Sequence, residues 1–300
     1  MSPSSAVLGI DLGGTKARSV LLVGGEVRWA RTDPTGRDLD PERATNLVLE
    51  VLAEAAAHAG PAGVASVGVG VPGPVRPGTG VVRSSVILDG WDEVPFASML
   101  SGRTGLAVGV DNDVNHAARA EWWVRGGAGG EGPDLLFVGI GTGVGGALVL
   151  DGRVRAGAGG MAGEIGHVAG GEPAERCDCG RRGCISVSVG GRSLERRLRL
   201  APGGLSAAVA AGGTAADLLA EGARRLGAVV ADALHLLDLP LVVLGGGVAE
   251  APGFVDGVRE GVRANALAEV RDACTVEPAA AGYDAAAVGA ALHGTGAERR

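Results

Sequence analysis

The chain has 300 residues, 55 of them glycine, with 27 basic and 34 acidic side chains and a formal net charge of -7. An apolar share of 46% excludes wholesale disorder, and the absence of a Gly-X-Y period excludes collagen. The acidic balance disfavours a nucleic-acid binder, which needs a basic face, and at roughly 100–200 residues per domain the length allows one large or two medium domains. The opening residues lack a basic stretch, and Asp11 interrupts their apolar run, so no secretory signal is expected. Ala6 to Ile10 and Ala17 to Val23 are apolar runs around Gly13-Gly14, a hairpin signal, with a third strand expected over Glu26 to Arg31. Glu42 to His58 has helical spacing. Ser66 to Val71 reads as a buried strand stopped by Pro72-Gly73-Pro74, and Leu106 to Val110 as another that runs into Asp111-Asn112-Asp113. A helix is expected from Asn115 to Trp123.

Leu135 to Ile140 and Gly146 to Leu150 repeat the strand, glycine turn, strand pattern. The whole stretch from Leu135 to Leu150 is shorter than the ~18–20 residues a membrane span needs, and five glycines lie inside it. Leu205 to Leu237 reads as mostly helical, Pro240 to Leu244 as a strand entering Gly245-Gly246-Gly247, and Asp284 to His293 as an Ala-rich closing helix. Two halves that each open with a glycine-bent hairpin suggest a duplicated α/β architecture with a cleft between lobes. The expected lobes are 1–114 joined by 284–300, and 115–283. Cys177, Cys179 and Cys184 crowd together, which in a chain without a signal points to metal rather than disulfides. A cytoplasmic protein without membrane or nucleic-acid partners is expected.

Asp11-Leu12-Gly13-Gly14-Thr15-Lys16 places a carboxylate at a strand end, then two residues whose N–H groups can approach an anion closely, then a hydroxyl and an ammonium. Lys16 is the only lysine in the chain. A carboxylate beside a phosphate site commonly holds Mg²⁺, usually through water. Gly141-Thr142-Gly143 opens a second turn of this kind, and Gly245-Gly246 could pass close to a nucleotide base or ribose. Neither turn fits the Walker pattern, and no helix pattern follows Gly141 as a Rossmann fingerprint requires. Each turn alone is equally read as a tight hairpin; two of the same chemistry at equivalent places favour phosphate binding.

With these turns, Gly70 to Val75, Gly90-Trp91, Asp111 to Asn115, Gly163 to His167, the cysteine cluster and Leu244 to Val248, the chain resembles the ROK family of bacterial sugar kinases and sugar-responsive repressors, within the actin-like ATPase superfamily. The resemblance implies a two-lobed, ribonuclease H-like α/β fold around a nucleotide cleft, ATP and Mg²⁺ as cofactors, and a homodimer or homotetramer. Repressors of the family carry a winged helix-turn-helix ahead of the first turn. Ten residues precede Asp11 here, so the kinase branch is expected over a non-catalytic sugar sensor. A structural or chaperone ATPase ranks last, having no use for the cysteine cluster.

By that resemblance Asp113 is the general base, although alone it reads as the cap of the following helix. Acceptor contacts fall to Gly73, Asn112, Asp113, Glu164, His167 and Ser186. Phosphate contacts fall to Asp11, Gly13, Gly14, Thr15, Lys16, Gly141, Thr142, Gly143, Gly245 and Gly246, with Asp11 on the Mg²⁺ through water. His167, Cys177, Cys179 and Cys184 match the family's zinc signature, and three thiolates with one imidazole make a closed, structural Zn²⁺ shell. Cys274 is expected to be an ordinary buried thiol, and His58, His116, His235 and His293 structural or surface residues.

The chain departs from the family twice. Ser186 stands where glucokinase-type members have a glutamate, and Ile87 occupies a usually polar position. Each change removes a hydrogen bond to a sugar, at a cost of roughly 1–3 kcal/mol for each hydroxyl left unpaired. Two acceptors are therefore weighed equally: a hexose-like substrate altered near the anomeric carbon, such as a modified sugar or C7 cyclitol, and ordinary glucose with the lost contacts replaced by Ser188 or water.

Overall fold

The computed structural model describes residues 5–294. The chain opens with three strands, β1 (Ala6–Leu12), β2 (Lys16–Val23) and β3 (Glu26–Pro34), followed by α1 (Pro41–Ala56) and β4 (Val64–Val71). A small sheet of β5 (Val75–Arg76), β6 (Val81–Ser84) and β7 (Asp92–Val94) precedes α2 (Phe96–Thr104), β8 (Ala107–Asn112) and α3 (Asp113–Val124). Next come β9 (Leu135–Ile140), β10 (Val144–Leu150) and the two-residue β11 (Arg153–Val154). The helices α4 (Ser186–Val189), α5 (Gly191–Leu198), α6 (Leu205–Ala210) and α7 (Thr214–Leu237) lead to β12 (Leu241–Gly245). The chain ends with α8 (Phe254–Asn265), α9 (Ala268–Ala273), β13 (Thr275–Pro278) and α10 (Ala285–Gly294). None of the described helices is long and apolar enough to cross a membrane.

Two compact units divide the chain. The first holds the described parts of Met1–Gly132, Asp151–Ala162 and Ala281–Arg300; the second holds Pro133–Leu150 and Gly163–Ala280. Contacts therefore part elsewhere than at the expected 114/115 and 283/284. The reason is α3, which rides on α10: a Cβ on Gly289 would lie 1.7 Å from the His116 carbonyl oxygen, so the two backbones touch. Of the expected closing segment, residues 295–300 lie outside the described region.

In the first unit the sheet order is β3-β2-β1-β4-β8. β1, β2 and β3 form antiparallel neighbours, while β4 and β8 run parallel to β1. The second unit repeats the scheme in β10-β9-β12-β13: an antiparallel hairpin with parallel strands beside it. Each sheet carries its own core. Leu8, Ile10, Val67 and Val69 pack with Val48 and Val51 of α1 in the first, and Val138, Ile140, Val242 and Leu244 with Leu226 and Val230 of α7 in the second. Parallel strands covered by helices need apolar residues at consecutive positions, which is why Val67–Val71 is apolar and buried at every position.

The helix expected from Leu205 to Leu237 is interrupted at Gly212-Gly213, both in the left-handed region. The closing helix lies directly on glycines of the sheet. A Cβ on Gly9 would be 2.0 Å from the Ala287 carbonyl oxygen, and one on Gly68 would be 1.7 Å from that of Ala290. Gly289→Ala is expected to cost about 3 kcal/mol, since backbone cannot retreat as a side-chain tip can, and to lower the thermal midpoint by roughly 5–10 °C. Calorimetry checks this, and an unchanged midpoint would mean that α3 and α10 separate freely.

Candidate active site and cysteine cluster

The parallel strands of the first unit deliver Asp11 near the end of β1 and Asp111-Asn112 at the end of β8, with Asp113 as the first residue of α3. Chain ends of adjacent parallel strands are where open α/β sheets place ligands. Gly70 of β4 makes this convergence possible. A Cβ there would meet His116 Nδ1 at 3.1 Å, Asp11 Oδ1 at 3.4 Å and Asp113 Cα at 3.5 Å. Burial, then the adjacent Asp113 carboxylate, pushes the Asp11 carboxyl up to about 7 from 3.8, with Lys16 pulling it back. The folded protein thus holds a proton that the unfolded chain has released. Stability from this group is complete below about pH 4 and declines as pH rises through about 7. Asp11→Asn is expected to flatten that decline in urea midpoints taken between pH 5 and 8; equal slopes for both proteins would refute the assignment.

The cap of α3 is Asn112, not Asp113. Asn112 Oδ1 accepts from the N–H groups of Val114 (2.9 Å) and Asn115 (3.3 Å), and its Nδ2 donates to the Gly73 carbonyl oxygen at 3.2 Å. The Asn112 amide and Gly73 therefore serve each other and the helix start. Asp113 Oδ1 accepts from its neighbour Val114 at 3.0 Å. Beneath them Asp111 Oδ1 accepts from Asn112 N–H and from Asn115 Nδ2, both within 2.9 Å, and Asp111 pairs with Arg119 at 3.4 Å. The role of Asp111 as the anchor of this corner has no local sequence signal beyond its place before Asn112.

In the first turn the Gly13 N–H donates to the Lys16 carbonyl oxygen at 3.0 Å, and the Gly13 carbonyl accepts from Thr35 Oγ1 at 2.6 Å. Gly13 therefore closes the turn, while the N–H groups of Gly14 and Thr15 are taken by no protein group among the described residues. Lys16 Nζ donates to the Tyr283 hydroxyl at 2.6 Å and stands 4.6 Å from that ring's centre. Beside it Arg18 pairs with Asp284 at 2.7 Å. Ile87 packs against Gly14, whose Cβ would lie 2.4 Å from Ile87 Cγ2, and joins the apolar core. Packing on the turn thus accounts for the apolar residue at 87.

In the second unit the Gly141 N–H donates to Gly143 O at 3.0 Å, and the carbonyls of Gly141 and Thr142 accept from the N–H groups of Gly191 and Arg192. Cβ positions on Gly141 and Gly143 meet nothing within 4 Å, so this turn is open to a close approach. Gly245 and Gly246 are different. Their Cβ positions would strike the Phe137 ring at 2.8 Å and the Ile140 carbonyl oxygen at 2.4 Å, so strand packing accounts for both; Gly247 is the open one.

Glu164 and His167 bracket a short 3-10 turn, with His167 Nε2 3.9 Å from Glu164 Oε2. Burial raises the Glu164 carboxyl, against the pull of His167. The other ring nitrogen, Nδ1, lies 3.7 Å from Cys177 Sγ, and Cys179 Sγ lies 3.7 Å from Cys184 Sγ. These four donor atoms all fall within 4.8 Å of one another. Thiolates at about 2.3 Å from a tetrahedral zinc would stand about 3.8 Å apart, so the donor set and its spacing fit Zn²⁺. Burial pushes the Cys177 thiol up and that of Cys184 to about 12, whereas hydrogen bonding from the Arg181 N–H draws Cys179 down. Ser186 is buried at the start of α4, two residues after Cys184. Ser188 Oγ accepts from the Glu172 N–H at 3.2 Å and so anchors the loop. Cys274 is half-buried rather than fully so. His58 stacks on Trp29, and His235 Nε2 accepts from the Leu267 N–H.

The ROK family model matches residues 7–294. This chain belongs to the ROK family. It is 30% identical to a glucokinase of Halalkalibacterium halodurans, over 94% of this chain and 92% of the relative. It is 32% identical to an N-acetylmannosamine kinase of Escherichia coli, over 95% and 97% of the two chains. The ROK hexokinase of Thermus thermophilus superposes with a TM-score of 0.84 at 32% identity, covering 98% of this chain and 99% of that one. The mixed α/β units are those of the actin-like ATPase fold.

Proposed function

We propose that this ROK protein is an ATP-dependent sugar kinase that transfers the γ-phosphoryl group to a hydroxyl, most simply a primary one, of a hexose or hexose-like polyol. The carrying observation is the convergence of Asp11 and Asp113 around Gly70, beside a turn that presents the N–H groups of Gly14 and Thr15. Kinase relatives along the whole chain support the same reading. Asp113 accepts the acceptor's hydroxyl proton as attack begins; Gly14, Thr15, Thr142 and Gly143 hold phosphate oxygens. Asp11, an oxygen donor, suits Mg²⁺ bound through water, an ion that offsets phosphate charge. Glu164 accepts from vicinal hydroxyls, and His167 turns Nε2 to the same acceptor while Nδ1 serves the zinc. His167, Cys177, Cys179 and Cys184 would hold that zinc, which steadies the loop and takes no part in transfer. Four cysteines outside any disulfide and ATP as donor suit a cytoplasmic setting.

For the acceptor, the altered-hexose reading rests on Ser186 alone, because packing accounts for Ile87. It gains from Ser188, whose hydroxyl is engaged with Glu172. The glucokinase relative favours plain glucose instead. A transfer screen over glucose, N-acetylmannosamine and C7 cyclitols, with the product position read by NMR, separates them. Ser186→Glu is expected to raise kcat/KM for glucose about 10- to 100-fold, the value of one charged hydrogen bond. Fast turnover of glucose by the unaltered enzyme, with none of cyclitols, would sink the altered-acceptor reading.

A further inference from the structure

One polar pair of the first unit, a fully buried His116 and a half-buried His293, has no part in the chemistry described above. His116, on α3 one turn beyond Asp113, is fully buried, and its Nε2 lies 3.2 Å from Nδ1 of His293 at the end of α10. Both rings occupy places cleared by glycines. A Cβ on Gly70 would come within 3.1 Å of His116 Nδ1, and one on Gly109 within 3.1 Å of His293 Nδ1. Among the described residues no protein group satisfies His116 Nδ1. A bare lone pair is cheaper to bury unpaired than an N–H, so Nε2–H donates and His293 Nδ1 accepts.

A fully buried imidazole with one nitrogen unpaired does not serve stability better than an aliphatic side chain of like volume. Asp111 brings a carboxylate within 4.8 Å of a nitrogen of each ring, but it pairs with Arg119 at 3.4 Å, and that guanidinium charge, which also acts on His116, opposes a bound cation. The pair is better used as a directional contact. Its hydrogen bond fixes the rotation of α3 about its own axis, and Asp113 sits on the adjacent turn of that helix, against the same Gly70. At its other end α10 follows directly on Tyr283 and Asp284, which hold Lys16 and Arg18 at the first glycine turn.

We infer that His116 and His293 are positioning residues for phosphoryl transfer: their hydrogen bond orients Asp113 relative to the glycine turn braced by the same closing segment. The inference rests on Asp113 being the proton acceptor. A small misplacement of such a group slows the chemical step while ground-state binding persists.

The test compares steady-state kinetics of His293→Leu, His293→Asn and Asp113→Asn, using ATP and the best acceptor from the screen. Leucine keeps the packing and removes the acceptor, whereas the Asn amide oxygen falls near the position of Nδ1. His293→Leu is expected to lower kcat about tenfold with both KM values within about twofold of wild type, and His293→Asn to restore most of the loss. Wild-type kcat in His293→Leu, or an Asn variant no better than the Leu variant, overturns the inference. Should His293→Leu not fold, His116→Gln carries the test, since its amide keeps a donor near Nε2: kcat within about threefold of wild type supports the inference, and a larger loss in the folded protein overturns it. Substantial turnover by Asp113→Asn would remove the proton-acceptor reading itself. An inert Asp113→Asn beside a fully active His293→Leu defeats only the positioning claim.

Discussion

Asp113→Asn is expected to lower kcat by a factor on the order of 10²–10⁴, the range that a positioned general base contributes. The substitution is a clean probe for a structural reason. Asn112 caps α3, and the hydrogen bond that Asp113 Oδ1 accepts from the Val114 N–H can be accepted equally by an amide oxygen. The helix start therefore survives, and the difference isolates proton acceptance. The Asn variant should bind ATP with an affinity within a few-fold of wild type, measured by calorimetry in the presence of Mg²⁺. A kcat within tenfold of wild type would take Asp113 out of the mechanism. A parallel loss of nucleotide binding would assign it to the phosphate side instead, alongside Asp11.

The second large effect is expected at the cysteine cluster. Cys184 is fully buried, and its sulfur faces Cys179 at 3.7 Å. Cys184→Ser replaces a thiolate with a hydroxyl that zinc binds poorly, leaving three strong donors. Zinc content by atomic emission should fall from about one per chain to well below that, and the thermal midpoint should drop by roughly 5 °C or more. KM for the acceptor should rise at least tenfold, because His167 gives one ring nitrogen to the cluster and the other to the Glu164 side. KM for ATP should change less, although Asp178 of the same loop pairs with Arg196, four residues beyond the Arg192 that donates to Thr142. A variant that keeps its zinc and its acceptor KM would detach the cluster from the acceptor.

Most of the framework is legible along the chain because it is local. An apolar run closed by Asp11-Leu12-Gly13-Gly14 can only turn back on itself, and the second hairpin repeats the signal around Gly141. The cysteine cluster announces itself by crowding within eight positions. What stayed hidden depends on partners far away in sequence. Nothing near Gly289 says that α3 will lie against it, so the expected lobe boundary differs from where the contacts divide. His116 and His293 stand 177 positions apart, and each looks like an isolated histidine. Gly245 and Gly246 resemble the phosphate turns in composition but serve contacts with Phe137 and Ile140 that only the folded sheet reveals. Ile87 looks like a lost ligand contact until Gly14 is seen beneath it.

The placement of α10 has a consequence for how the chain is made. β1 and β4 are made before the second unit, yet the faces of Gly9 and Gly68 are closed by Ala287, Ala290 and Ala291 of α10. Val7 and Leu22 likewise await Ala291 and Leu292 to complete their cluster. Translation must therefore run from β1 through the second unit to α10 before these strands can be sealed. The second unit, whose strands and helices are contained between Pro133 and Ala280, is finished sooner. For these two units the order of synthesis and the order of completion are thus reversed, and β1 and β4 need protection from other nascent chains for longer than the strands of the second unit.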